Sequence, residues 1–168
     1  MNKTIYYICQ TLVEDGRMEE KIFQYRIINP LKSVLNDFPK LNLCFHPRSD
    51  KSIYADLLSN VKVNEDKFSY DYMKKDNIFL GHYSTIIFNL ITNSEKVLMM
   101  DIDWDPLPEF IYESSSLRIH WRDLNKVIKK LDLDLISLSK PNKEIIDMFA
   151  NPIVKDLERK KLLDSIFL

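Results

Sequence analysis

The sequence predicts an α/β protein, a doubly wound parallel sheet of about five strands with helices on both faces and a helical C-terminal tail. Two observations carry that expectation. Short apolar runs rich in Ile, Tyr, Phe and Val alternate with longer segments whose apolar residues recur at intervals of three and four. Strand–helix alternation of this kind favours parallel strands joined by right-handed helical crossovers. In addition, three of the expected strands run into polar clusters, as ligand-bearing strand exits do in open parallel sheets.

In chain order, the strand candidates are residues 5–12, 41–45, 61–63, 77–81 and 96–102. Helices are expected at 18–28, 31–38, 52–58 and 84–91, and after Pro106. From Trp121 the pattern turns mostly helical, with segments at 123–131, 143–149 and 152–167, the last with Pro152 at its start. No repeat, low-complexity stretch or linker divides the chain, so residues 1–168 are expected to form one Rossmann-like domain.

Composition excludes several functions. Gly16 and Gly81 are the only glycines in 168 residues, so neither a P-loop nor the dinucleotide fingerprint G-x-G-x-x-G can be built. Ala is equally rare, present only as Ala55 and Ala150. Twenty-four Lys and Arg against twenty-five Asp and Glu leave a net charge of -1, which gives no bulk signal for nucleic acid. Cys9 and Cys44 lie inside apolar runs without C-x-x-C spacing, which favours buried free thiols in a cytoplasmic protein. Gln10, Glu14 and Asp15 interrupt what would otherwise imitate a signal peptide. The longest stretch without an ionic residue, 77–94, contains Gly81, His82, Ser84, Thr85 and three Asn, so no transmembrane segment is expected.

The polar strand exits hold the candidate chemistry. Ser84 and Thr85 precede an apolar helical segment, where unpaired N–H groups attract a phosphate, although Ser and Thr are equally ordinary helix caps. His46 follows one strand and is pinned by Pro47. A rim histidine with an ordinary pKa of about 6.5 can assist a leaving group, or simply be hydrogen-bonded at a strand end. Arg48 offers a charge-assisted phosphate contact or a solvated surface charge. Glu14 and Asp15 supply adjacent carboxylates, one a candidate general base, with Gly16 allowing a sharp turn; acidic residues before Gly are also common turn formers.

Taken in order, Glu14-Asp15-Gly16, His46-Pro47 and Ser84-Thr85 resemble the D/E-D/E-G, HP and S-S/T motifs of bacterial sialyltransferases. Their compact spacing is most similar to glycosyltransferase family 52, the lipooligosaccharide sialyltransferase type, over roughly residues 5–103. The resemblance implies one half of a GT-B fold that transfers sialic acid from a CMP-activated donor to a saccharide acceptor with inversion. Asp15 would match the base, His46 the histidine that engages the donor phosphate, and Ser84 with Thr85 the phosphate-binding pair. Glu65 is the candidate for the acidic residue that holds the ribose, and Gly81 precedes the phosphate-binding turn. The location implied is cytoplasmic, peripheral at the inner membrane at most.

No metal or other cofactor is expected, because a donor with one phosphate lacks the paired phosphates that Mg²⁺ bridges. Asp101-Ile102-Asp103 nevertheless forms a D-x-D pattern that could hold a divalent ion. Extended to Asp105 it fails as an EF-hand loop, with Pro106 at position six and Tyr112 at position twelve.

The family's enzymes carry a second, N-terminal domain, and this chain begins at its first motif-bearing strand. The expectation is a fragment, a shortened nucleotide binder without turnover, or a site completed by another chain, including self-association. A non-catalytic binding module is therefore the competing function. A flavodoxin-like signalling domain with Asp15 in its acidic cluster would need a Lys after the last strand, where Asp101 and Asp103 stand instead.

Overall fold

The computed structural model describes residues 4–37, 41–60, 64–65, 77–82, 84–93, 95–104, 107–142 and 144. Six strands form one sheet: β1 (Ile5–Ile8), β2 (Leu41–Cys44), β3 (Asn64–Glu65), β4 (Ile78–Gly81), β5 (Lys96–Asp101) and β6 (Leu117–His120). Every pairing is parallel, in the order β3-β2-β1-β4-β5-β6. Five of the strands are four residues or longer and β3 is a two-residue edge. This is the Rossmann-like, doubly wound arrangement.

Strand periodicity sorts the core into two layers. Ile5, Tyr7, Leu41, Leu43, Ile78, Leu80, Leu98 and Met100 point to one face, and Tyr6, Ile8, Cys44, Phe79, Val97 and Met99 to the other. The first face is covered by α1 (Glu20–Phe23), α2 (Asn29–Asp37), α3 (Ala55–Asn60) and α6 (Leu124–Asp132). The second is covered by α4 (Thr85–Thr92) and α5 (Glu109–Ser114). Because both faces are covered, β1 and β4 are buried at all four positions, which is why they read as unbroken apolar runs.

Three differences from the sequence-based expectations have physical causes. The first strand stops at Ile8, not at residue 12, because the chain curls at once. Asp15 N–H donates to Thr11 O at 2.9 Å and Met18 N–H to Leu12 O at 3.0 Å, with Gly16 at φ +68°. The helices expected at 18–28 and 31–38 run on without a break, since a π-helical turn, Gln24–Ile28, joins α1 to α2. Pro30 lacks an N–H and its ring crowds the carbonyl four residues back; the wider π turn ahead of it accommodates both.

A sixth strand, β6, stands where none was expected, because Arg118 and His120 dilute its apolar pattern. Its place at the edge explains them: Arg118 bonds to Asp101 and Glu109 and packs its guanidinium 4.1 Å from the Tyr112 ring centre. The third strand is at Asn64–Glu65, and the expected 61–63 lies outside the described residues. In the tail, α6 corresponds to the expected 123–131, while 143–149 and 152–167 fall outside the described residues apart from Glu144.

Candidate functional site

β1 and β4 lie side by side, yet the chain leaves β1 toward one face and β4 toward the other. Diverging connections at such a switch point open a crevice at the carboxyl ends of the strands. Here that crevice is a cleft of about 310 Å³. Gln10, Thr11, Asp15 and Arg17 line it from the loop after β1, His46 and Arg48 from the loop after β2, and Ser84 and Thr85 from the start of α4. Five residues singled out from the sequence, Asp15, His46, Arg48, Ser84 and Thr85, thus share one cavity.

Each is held by a local reason. Ser84, extended at φ -161° and ψ 158°, caps α4 by accepting from Ile87 N–H at 3.1 Å. The capping role and the cleft position coexist, because a hydroxyl oxygen that accepts still has its own hydrogen to donate. Thr85, in the first turn, is exposed. His46 and Ser49 close a turn around Pro47, with Ser49 N–H donating to His46 O at 2.9 Å. Arg48 N–H donates to His46 Nδ1 at 3.1 Å. A neutral His46 therefore carries its proton on Nε2, as a donor.

Asp15 is the most constrained group. Its Oδ2 accepts from Thr11 Oγ1 at 2.6 Å, and Arg48 grips both oxygens, at 2.8 and 3.3 Å. The Thr11 hydroxyl first, and the Arg48 guanidinium second, hold this carboxyl below its ordinary range. Glu14 is used differently: its Oε1 accepts from Asp50 N–H at 2.7 Å and ties the first rim loop to the second. Gly16 supplies the left-handed turn of that loop. Gly81 ends β4, where an added Cβ would lie 2.9 Å from Ile87 Cδ1, so its bareness sets how closely α4 approaches the sheet. Glu65 closes β3, in register with Leu43 of β2.

The D-x-D carboxylates are already committed. Asp101 accepts from Arg118 Nη2 at 2.6 Å, while Asp103 Oδ2 accepts from Trp121 Nε1 at 3.0 Å and pairs with His120 Nε2 at 2.8 Å. Among the described residues, no group of three or more His, Cys, Asp or Glu side chains is placed to hold a metal ion. Cys9 and Cys44 are buried and form no disulfide, and burial pushes the Cys9 thiol well up.

Sequence reasoning missed Gln10, Thr11 and Arg17. The first two were absorbed into an overlong strand, although the polar Gln10-Thr11 pair after Cys9 marked its end. No helix among the described residues is long and apolar enough to cross a membrane. No protein-family model and no curated protein matches the chain.

Proposed function

We propose that the cleft binds the phosphate of a CMP-activated sugar and that the chain is a sialyltransferase-type glycosyltransferase domain acting on a saccharide acceptor. One observation carries this reading: residues of all three motifs, distant in sequence, converge on one cavity at the switch point of the sheet. A helix start, two hydroxyls, the His46 Nε2 hydrogen and the Arg48 guanidinium make a cradle for one phosphate in a chain without a glycine-rich loop.

In the proposed step the acceptor hydroxyl gives its proton to Asp15 while its oxygen attacks the anomeric carbon. The bond from that carbon to the phosphate oxygen breaks on the opposite side, with inversion. CMP leaves with the bonding electron pair, stabilised by donors from His46, Ser84, Thr85 and Arg48.

A second reading, a nucleotide-binding module without turnover, is favoured by the bonds already made to both oxygens of Asp15. Calorimetric titration with CMP tests the common premise: folded protein that takes up no CMP at millimolar concentration contradicts both. His46→Ala and Ser84→Ala should each weaken CMP binding. Release of CMP from CMP-sialic acid only when a saccharide acceptor is present then separates transferase from module.

A further inference from the structure

Asp15 is the base of the proposed transfer, yet Arg48 and Thr11 occupy its oxygens. The two partners are not equivalent. Thr11 is buried and sits in the same turn as Asp15, whose N–H donates to the Thr11 carbonyl at 2.9 Å while the hydroxyl donates to the carboxylate. That contact is fixed by the loop itself. Arg48 reaches across from the next loop with a side chain that is 65% exposed. Exposed ion pairs of this kind contribute little, and water competes for both partners.

We propose that Arg48 is a shared residue, which a phosphate entering the cleft takes from Asp15. The inference deepens the reading above and rests on it for the role of Asp15; the exchange itself needs only a phosphate group. A guanidinium fork matches two phosphate oxygens as well as it matches a carboxylate. The Arg48 backbone is anchored, its N–H on His46 Nδ1, so the side chain can turn while the donor on His46 Nε2 stays in place. Thr11 keeps Asp15 where it is after the exchange. The carboxylate then loses the cation that suppresses its proton affinity, at the moment a phosphate-bearing donor arrives and a base is required. Donor before acceptor is the binding order that follows.

The experiment is calorimetric titration with inorganic phosphate and, separately, CMP at constant ionic strength. The proteins are wild type, Asp15→Asn, Arg48→Ala and the double variant, each checked for folding by circular dichroism. With Asp15 no longer competing, Asp15→Asn should bind phosphate roughly two- to fivefold more tightly, the factor such an exposed pair represents. Arg48→Ala should bind it more weakly, and Asp15→Asn should add nothing in the Arg48→Ala background. Equal tightening in both backgrounds would mean simple repulsion between Asp15 and the anion, and would overturn the exchange. So would unchanged or weaker binding by Asp15→Asn, or no phosphate binding by either wild type or Asp15→Asn. If the phosphate results hold but CMP binds no better than phosphate, the nucleotide reading fails and the exchange stands.

Discussion

Glu14 Oε1 accepts a 2.7 Å hydrogen bond from the backbone N–H of Asp50, so the first carboxylate of the acidic motif joins two rim loops. Asp50 in turn caps the 3₁₀ turn Lys51–Tyr54 by accepting from Ser52 N–H at 2.9 Å. The contact is exposed, and its loss should cost about 1 kcal/mol, the net worth of one such bond. Glu14→Ala should lower the unfolding free energy by that amount, read as a lower urea midpoint at an unchanged m-value, and Glu14→Gln, which keeps an acceptor oxygen, should recover most of it. A wild-type midpoint for Glu14→Ala would show that the two loops are held together by other contacts.

Gly81 and Ile87 set the distance between β4 and α4. An alanine Cβ at 81 would stand 2.9 Å from Ile87 Cδ1 and 3.2 Å from Cγ1, and Ile87 is only 1% exposed, so it has little room to yield. Overpacking of this kind costs roughly 1–3 kcal/mol. Gly81→Ala should therefore destabilise the fold within that range, and adding Ile87→Val, which removes Cδ1, should return part of the loss. Additive effects in the double-mutant cycle would contradict the contact.

The sheet was legible in the sequence because its interior strands are buried on both faces and read as compact apolar runs, β1, β2, β4 and β5 above all. β6 was not, since an edge strand whose Arg118 and His120 find ionic partners only in three dimensions carries no such run. The continuous helix through Pro30 was hidden for a related reason: proline signals a stop locally, and only the π turn before it removes the conflict. At the cleft, the polar strand exits announced Asp15, His46, Arg48, Ser84 and Thr85. What their spacing could not disclose is that Arg48 would lie on Asp15, a pairing between loops 33 residues apart.

Gly16 tests how much the first rim loop depends on backbone conformation alone. At φ +68° it has no neighbour within 4 Å of a would-be Cβ, so substitution meets strain and no clash. Gly16→Ala should cost about 1–2 kcal/mol, the left-handed penalty for a residue with a Cβ, and Gly16→Asn distinctly less. Equal losses for the two variants, measured by chemical denaturation, would point to a steric cause.

Asp103 supplies the clearest pH dependence. It too has positive φ, 53°, and its carboxylate is gripped first by the Trp121 indole N–H and then by His120, which together hold it below the ordinary value of 3.8. A carboxyl that is more acidic in the folded state than in the unfolded chain stabilises the fold above its unfolded pKa, and that contribution is lost as pH falls through the folded one. Wild-type stability should therefore begin to drop near pH 3.8 and continue dropping below it. Asp103→Asn removes this component while keeping an acceptor for the indole, so its stability–pH curve should be flatter, lower than wild type at pH 6 and convergent with it toward pH 2. Asp15, Asp37 and Asp50 are lowered in the same direction, but they are present in both proteins and cancel in the comparison. Parallel wild-type and Asp103→Asn curves in an acid titration of the thermal midpoint would show that the Trp121 and His120 contacts give Asp103 no preference for its charged form.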